Sequence, residues 1–513
     1  MKSRILKTAL IGAFCAVSTA NFAQIEGKKV QVFSSYDGEK KMLIEQPAAV
    51  LKTDLKTENP VINVFPEFKY QAILGFGGAF TETAAYNFSL LKPQKQVELA
   101  ELMFGKKGIG YNFCRTTIHS CDFSLDEYTY VKENDKNLKS FNINRDKKYV
   151  LPFITAAHKI NPDLLLFASP WSPPAWMKDN AATNKKSMIK GGKLLKEYYP
   201  VWAKYFALYL QNYKKEGVDF LAVSVQNEPI AIQPWESCFW TGSEEGDFAT
   251  NYLRPELDKA GFDKTNIIVW DHNKERVMER AREAMNVKGG DQAIWGIGFH
   301  WYSGDHFDNL RMAHELFPTK PLIATEFCLS PETAGEAIWS DIEKTSWASV
   351  ERYAGEMIQN FNNFMAASCE WNLIVDTKGG PYHDRTGGVS APVYVNPDTK
   401  DYTLGELYYT VGHFSKFVKR GAIRIGTSSY SDNIKVTAFQ NPDGDIVVVV
   451  LNKTNKQASP KLRIDNCTAE FTLAPRSLNT LIIPAKTDVR REFKRDLKKQ
   501  LRQVELQRVQ PIK

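Results

Sequence analysis

The sequence lacks the features that mark several large classes of protein. No apolar run after the N-terminus reaches the roughly 18 residues that a membrane-spanning helix needs. No internal repeat or low-complexity tract is present, and glycine and proline are scattered, which excludes collagen-like and linker chains. The GxSxG motif of serine hydrolases and the HExxH motif of zinc proteases are also missing.

Cysteine is sparse, with seven residues in 513 and no CxxC pair. Six of them follow the N-terminal segment at wide intervals: Cys114, Cys121, Cys238, Cys328, Cys369 and Cys467. Most lie in apolar, strand-like contexts, where cysteine behaves as a small hydrophobe. We therefore predict isolated buried thiols, although a disulfide stays possible outside the cytoplasm. The cysteines do not have the spacing of zinc ligands, and the sequence as a whole implies no metal and no organic cofactor.

The net charge of +7 is concentrated at the two ends of the chain. Residues 1–23 carry three basic side chains and no acid, and residues 488–513 carry nine basic and four acidic ones. The remainder is close to neutral, which argues against a nucleic-acid partner.

The two ends have distinct patterns. Residues 1–23 combine a basic start, a short apolar stretch and small residues, which predicts a signal peptide and export to the periplasm or the extracellular space. Residues 488–513 predict a basic amphipathic helix. This helix either packs on the body of the protein or contacts a partner or a membrane surface, and its partner is unknown.

The middle of the chain, residues 70–415, alternates short apolar runs with longer helical patterns. Near-continuous apolar strands between helices indicate parallel pairing with both sheet faces covered. Eight of them favour a (β/α)8 barrel over an open sheet. The runs are Ala72–Phe80, Gly110–Ser120, Asp163–Trp171, Phe220–Pro229, Asn266–Asn273, Trp295–Tyr302, Pro321–Phe327 and Ala367–Val375.

The flanking segments predict a second, all-β domain. Lys29–Ser34 and Val61–Phe65 precede the barrel, within residues 24–69. Within residues 416–487, two alternating strands surround Asn441-Pro-Asp-Gly444, a strong hairpin signal, and Phe471–Leu473 and Thr480–Ile483 add further strands. The fold class is therefore α/β, a TIM barrel with an appended β-sandwich built from both flanks.

Two predicted barrel strands end in carboxylates. Glu228 closes the fourth strand within Gln226-Asn-Glu-Pro229, and Glu326 closes the seventh. In barrels of this kind, reactive groups project from the carboxyl ends of the strands, so these two should face one another across the mouth. Two facing carboxylates are what glycosidic bond cleavage needs, one as acid and one as nucleophile. A separation of about 5–5.5 Å would give retention of configuration.

Aromatic residues support a sugar site, since tryptophans cluster at the predicted strand ends and flat rings stack on pyranoses. His119 and His300 also lie at strand ends and are interpreted as hydroxyl donors or supporting groups. Gly75-Phe-Gly-Gly-Ala-Phe80 has phenylalanine where a dinucleotide loop needs its third glycine, and we reject that function.

At these positions the chain resembles glycoside hydrolase family 30, most closely its glucosylceramidase branch. The strings that carry the resemblance are Gly75–Glu82, Gly110-Tyr-Asn112, Ser120–Ser124, Ala168–Trp176, Gln226–Pro229, His300-Trp-Tyr302, Thr325-Glu326, Glu370–Leu373 and Gly412–Phe417. The resemblance spans about Gln71 to Ala485 and implies the same barrel and auxiliary sandwich.

The resemblance implies a retaining reaction with Glu228 as acid/base and Glu326 as nucleophile. The other residues assigned to substrate binding are Trp171, Asn227, Tyr302 and Trp371, with His300 beside them and Glu82 gripping the 4- and 6-hydroxyls of the sugar. The expected substrate is a β-glucoside or glucosylceramide. The alternatives are an endo-β-1,6-glucanase of the same family and a non-catalytic carbohydrate-binding protein. Burial and the neighbouring Glu326 are expected to raise the pKa of Glu228.

Overall fold

The computed structural model describes residues 25–38, 42–181, 191–329, 347–384 and 388–485. The predicted signal segment and the basic tail lie outside these residues. The chain divides into two compact units, one formed by the residues up to Ile73 and from Phe417 onward, the other by Leu74–Lys416.

The described residues form twenty-one strands and eleven α-helices. The strands are β1 (Lys29–Tyr36), β2 (Ile44–Val50), β3 (Lys52–Thr53), β4 (Val61–Ala72), β5 (Gly75–Phe80), β6 (Phe113–Ile118), β7 (Leu165–Pro170), β8 (Ala222–Ser224), β9 (Asn266–Asn273), β10 (Gly296–His300), β11 (Leu322–Phe327), β12 (Met365–Glu370), β13 (Ile374–Asp376), β14 (Val393–Asn396), β15 (Asp401–Leu404), β16 (Ile423–Ser428), β17 (Ile434–Gln440), β18 (Ile446–Asn452), β19 (Lys461–Ile464), β20 (Cys467–Glu470) and β21 (Ser477–Ile483). The helices are α1 (Glu82–Leu90), α2 (Pro93–Phe104), α3 (Val150–Ile160), α4 (Tyr199–Lys215), α5 (Gly242–Phe248), α6 (Arg254–Lys259), α7 (Val277–Met285), α8 (Gly290–Ala293), α9 (Phe307–Leu316), α10 (Trp347–Asn362) and α11 (Glu406–Ser415).

Strands β5 to β12 close into a barrel in chain order, with β12 paired to β5. The predicted TIM barrel is confirmed, and each of the eight predicted runs overlaps one of these strands. The fourth is the shortest, because β8 stops at Ser224 and the chain then leaves the sheet before Glu228. Inside the barrel, apolar side chains of several strands, among them Phe113, Phe167 and Ile323, pack into a buried cluster.

The glycine-rich string of the first barrel strand is a packing device. A Cβ atom on Gly77 would lie 2.1 Å from the carbonyl oxygen of Phe113 on the neighbouring strand. Only glycine therefore allows β5 to approach β6 this closely, and the string is a strand of the barrel.

The other unit is built on a ten-stranded sheet, in the order β2-β1-β21-β18-β17-β16-β4-β19-β20-β3. The sheet curls so that β2 contacts β20, and it encloses a core of valine, isoleucine and leucine side chains. The predicted hairpin joins β17 to β18: Asn441 N–H donates to Asp445 O at 2.8 Å, and Gly444 adopts a φ of 93° that favours glycine. The predicted strand Phe471–Leu473 is wrong, since Leu473 forms only an isolated bridge with Ala458.

All six predicted thiols are free and buried, which confirms that expectation. Among the described helices, none has the length and apolar character needed to cross a bilayer.

Candidate active site

Glu228 and Glu326 line one cleft at the carboxyl ends of the barrel strands, with a volume of about 340 Å³. Glu326 is part of β11, whereas Glu228 lies in the loop after β8. Of the residues predicted to bind substrate, four also line this cleft: Trp171, Asn227, Tyr302 and Trp371.

Arg115 of β6 organises the floor of the cleft and is completely buried. Its guanidinium donates to Glu326 Oε2 at 2.7 Å, to Asn227 Oδ1 at 2.8 Å and to Asp271 Oδ2 at 2.9 Å. A planar fork of donors suits this task, because it fixes several oxygens at once in a defined geometry. Arg115 thereby ties together side chains from four different βα segments.

Both oxygens of the Glu326 carboxylate are held. Oε2 accepts from Arg115, and Oε1 accepts a hydrogen bond of 2.8 Å from the hydroxyl of Tyr302. Tyr302 is itself fixed from its backbone, where its N–H donates to Asn273 Oδ1 at 2.9 Å. The carboxylate is thus pointed in one direction, as a nucleophile must be.

Glu228 is held in an uncommon backbone conformation, with a φ of 46°. Its N–H donates to the carbonyl oxygen of Asp271 at 3.0 Å, which anchors the residue to the end of β9. A non-glycine residue in the left-handed region costs free energy and is typical of functional sites. The side chain meets His300, whose Nδ1 lies 3.0 Å from Glu228 Oε1.

Asp271 connects the two halves of the site. It too has a positive φ, 49°, and the pairing of β9 with β10 shifts register at this point. An irregularity of this kind re-aims a side chain that regular alternation would direct elsewhere. The Asp271 carboxylate accepts from Arg115 through Oδ2 and contacts His300 Nε2 at 3.0 Å through Oδ1.

The electrostatics differ from the sequence-based expectation. Burial alone would raise the pKa of Glu228, but the imidazoles of His272 and His300 lower it to well below its ordinary value. Burial raises the pKa of Glu326, partly opposed by His300 and Arg115. Burial lowers the pKa of His300, yet Glu326, Asp271 and Glu228 outweigh it and raise that pKa to about 9. The predicted rise at Glu228 is therefore wrong for this structure, in which His300 holds the proton beside it.

Two tryptophans form an aromatic wall. The rings of Trp171 and Trp371 stack with centroids 5.1 Å apart and an interplanar angle of 23°. The guanidinium carbon of Arg115 lies 4.7 Å from the centroid of Trp171, a cation–π contact that fixes the ring. The wall offers flat apolar surface on which a sugar ring can stack.

Two predicted substrate-binding residues are not among the residues that line the cleft. Glu82, in the first turn of α1, accepts from Arg145 Nε at 2.7 Å and from Leu125 N–H at 2.8 Å, so its carboxylate is engaged away from the cleft. His300 is fully buried behind Glu228 and acts as its support. The acidic side chain that does line the cleft at this side is Asp122, from the Ser120–Ser124 string.

Sequence reasoning also missed Arg115, Asp271 and His272. Arg115 lies in the interior of an apolar run, where a charged residue was itself a signal, because a buried arginine requires buried partners. Asp271 and His272 lie near the end of the fifth run, Asn266–Asn273, and reading strand ends there as strictly as at the fourth and seventh would have found them. His119, in contrast, is buried away from Glu228 and Glu326, with Nε2 2.5 Å from Ser172 O.

A closed parallel barrel with two carboxylates and an aromatic wall at its mouth defines a glycoside hydrolase. The chain belongs to glycosyl hydrolase family 30: residues 73–418 match the TIM-barrel domain of that family, and residues 421–481 match its β-sandwich domain.

Three relatives illustrate the range of the family. The lysosomal acid glucosylceramidase of Mus musculus is 31% identical over 439 residues, which are 83% of each chain. The crystal structure of SrfJ from Salmonella typhimurium matches with a TM-score of 0.83 and 33% identity, over 89% of this chain and 99% of that one. The structure of an endo-β1,6-glucanase matches with a TM-score of 0.78 and 27% identity, over 90% of this chain and all of that one.

Proposed function

We propose that the protein is an exported, retaining β-glucosidase of the glucosylceramidase type, which releases glucose from a β-glucoside or glucosylceramide. The observation that carries the proposal is that Glu228 and Glu326 line one cleft, each fixed by its own set of partners. The glucosylceramidase relative, similar over 83% of both chains, supports the choice of substrate.

Glu326 serves as the nucleophile in this mechanism. Arg115 and Tyr302 hold its two oxygens, so that one lone pair is directed at the anomeric carbon. Attack forms a glycosyl ester and breaks the bond to the leaving oxygen. Asn227, whose Oδ1 is anchored by Arg115, has its Nδ2 amide left to donate to a sugar hydroxyl next to the reacting carbon.

Glu228 serves as the general acid and then as the base. It delivers a proton to the leaving oxygen, and His300 Nδ1 at 3.0 Å from Oε1 supplies that proton. Glu326 is foremost among the charges that hold the proton on His300. Formation of the ester removes this charge, so nucleophilic attack itself releases the proton toward Glu228. In the second step Glu228 takes a proton from water, which attacks the ester and gives retention.

Further side chains that line the cleft complete the proposed sugar site. Asp122 takes the place first assigned to Glu82 as the acceptor for outer hydroxyls of the glucose. Trp171 and Trp371 stack against the ring, while Gln233 and Trp235 line the cleft from the segment after Pro229 and contact the leaving group.

The second candidate is an endo-β-1,6-glucanase, favoured by the structural match that covers all of such an enzyme. The two are separated by incubating the protein with glucosylceramide, an aryl β-glucoside and a β-1,6-glucan and identifying the products. A glucosylceramidase releases glucose from the first two, whereas a glucanase produces oligosaccharides from the polymer.

The role of Glu228 is tested with Glu228→Gln on the aryl glucoside. The variant should lose about 10²–10⁴-fold in the rate of a substrate whose leaving group needs protonation. Added azide should restore turnover as β-glucosyl azide, because a small anion needs no general base to attack the ester. Glu82→Gln is the matched control and should retain activity within a few-fold. Equal losses in both variants, without azide rescue of Glu228→Gln, would contradict the assignment.

A further inference from the structure

The Glu228 side of the cleft brings together three metal-ligating side chains. One ligand atom each from Glu228, His272 and His300 lies within 4.8 Å of the other two. Glu228 Oε1 is 3.4 Å from His272 Nδ1 and 3.0 Å from His300 Nδ1. Tetrahedral zinc, with bonds of about 2.0–2.2 Å, places neighbouring donors roughly 3.4 Å apart. A small rotation of the imidazole rings therefore gives three ligands of a tetrahedral site.

We propose that these three residues bind a divalent transition-metal ion, with Zn²⁺ as the ion that fits the donors, and that the bound ion inhibits the hydrolase. The inhibition rests on the proposed role of Glu228, whereas the binding does not. The ion takes the lone pair that Glu228 Oε1 needs for its proton, and it occupies the position of the leaving oxygen. Inhibition is thus competitive with the glycoside.

His300 is prepared as a ligand by the residue behind it. Its Nε2 contacts Asp271 Oδ1 at 3.0 Å, so the Nε2–H is directed at a carboxylate, and the ion displaces to solvent the proton that Nδ1 otherwise holds toward Glu228. Carboxylate–histidine–metal arrangements of this kind are common in zinc sites, where the outer carboxylate fixes the ring and raises its basicity. Arg115 in turn fixes Asp271 through a contact of 2.9 Å.

His272 supplies the independent observation that points to a ligand. It lines the cleft, is only 7% exposed, and within the described part of the chain its Nδ1 makes no hydrogen bond, its 3.4 Å approach to Glu228 Oε1 being a long polar contact. A buried polar atom without a hydrogen bond is uncommon and costly. Coordination of an ion next to Glu228 would satisfy this nitrogen and leave the cleft side open for water.

The donor set selects the kind of ion. Two imidazoles and one carboxylate suit zinc and copper, while Mg²⁺ and Ca²⁺ prefer sites built from oxygen. We expect Zn²⁺ to raise the KM for an aryl β-glucoside with little change in kcat, and EDTA to reverse the effect. Millimolar Mg²⁺ should have no effect.

Binding is measured separately from activity with Co²⁺, whose visible absorption reports tetrahedral coordination. The EDTA-treated full-length protein should bind one Co²⁺, and excess Zn²⁺ should displace it. His272→Asn should weaken Co²⁺ binding at least ~10-fold and raise the Zn²⁺ inhibition constant by a similar factor. For each variant, the rate with Zn²⁺ is compared with the rate of the same variant without metal. Glu228→Gln should weaken Co²⁺ binding as well, and circular dichroism establishes that both variants are folded.

His383→Asn is the matched control. His383 also contacts a glutamate, with Nε2 3.2 Å from Glu236, but it belongs to no described three-donor group. Its replacement should leave Co²⁺ binding unchanged. Unaltered Co²⁺ affinity in folded His272→Asn would overturn the inference. Loss of Co²⁺ binding in His272→Asn, in a protein that hydrolyses no glycoside, would support the metal site and contradict the proposed function instead.

Discussion

The core of the sheet unit and the mouth of the barrel bury different kinds of side chain. The core of the sheet unit consists of apolar side chains, mainly valine, isoleucine and leucine contributed by β1, β4, β17, β18 and β21. At the barrel mouth, in contrast, Arg115, Asp271, His300 and Glu326 are all at least nine-tenths buried and lie in direct contact with one another.

The difference shows what each interior contributes. Burial of apolar surface favours folding without directional requirements. Burial of charge is costly, and an ion pair often does no more for stability than apolar residues of the same volume. The charged cluster therefore fits the proposed chemistry, in which it orients the carboxylates of Glu228 and Glu326 and holds a proton on His300. The barrel tolerates it because each charge has a partner of opposite sign.

Glu326→Gln should have the largest effect and should separate chemistry from stability at the mouth. The amide keeps the shape and still accepts from Arg115, but it cannot attack the anomeric carbon. We expect a loss of at least ~10³-fold in kcat, with a melting temperature equal to or above that of the parent protein. Steady-state kinetics and thermal unfolding of the same preparation measure both. Retention of most of the activity would show that Glu326 is not the nucleophile.

Leu481→Ala tests the apolar core of the sheet unit. Leu481 of β21 is fully buried and lies between Val32 and Val448 in the sheet. Removing its side chain leaves a cavity and should lower the free energy of unfolding by about 2–5 kcal/mol. The residues that line the cleft all belong to the Leu74–Lys416 unit, so kcat/KM at 25 °C should stay within about two-fold. A loss of activity in the folded variant would mean that activity at the barrel mouth depends on the packing of the sheet core.

Glu370→Gln tests a buried carboxylate of the barrel outside the reacting pair. Glu370 ends β12 and accepts from the hydroxyls of Tyr111 and Tyr353 at 2.7 and 2.8 Å, and burial raises its pKa to about 8. The folded protein therefore binds a proton that the unfolded chain releases above about pH 4.3, and stability falls as the pH rises from there to about 8.

The glutamine side chain of the Glu370→Gln variant does not titrate, so this contribution to the pH dependence of stability is absent from the variant. On going from pH 5 to pH 8, the parent protein should lose on the order of 3 kcal/mol more than Glu370→Gln. Urea unfolding at the two pH values measures the difference. Identical pH dependence in the two proteins would show that Glu370 is ionised in the folded state.

Much of the architecture was predictable because it depends on local pattern. Eight apolar runs located the eight barrel strands, and Asn441–Gly444 located a hairpin. Reading strand ends found Glu228 and Glu326, because parallel strands deliver their last side chains to one mouth. The limits were long-range contacts: nothing local shows that Arg145 engages Glu82, or that Asp122 lines the cleft.

The pKa of Glu228 illustrates the same limit. The direction of the pKa shift at Glu228 depends on His272 and His300, which lie on β9 and β10. These two imidazoles reach Glu228 only because the barrel closes and because Glu228 and Asp271 have positive φ angles. A sequence pattern records neither the bulge in β9 nor the resulting approach of two imidazoles. The sequence shows which titratable residues are present, but whether their neighbours raise or lower the pKa of Glu228 depends on where the fold places them.

The most direct test is to trap the intermediate with a 2-deoxy-2-fluoro-β-glucosyl fluoride and to locate the label by peptide mass spectrometry. The 2-fluorine slows both formation and breakdown of the glycosyl ester, but the good fluoride leaving group keeps formation the faster step, so the ester accumulates. The account predicts one glucosyl label per chain, on the peptide that contains Glu326. A label on any other carboxylate, or hydrolysis with inversion at the anomeric carbon, would contradict it.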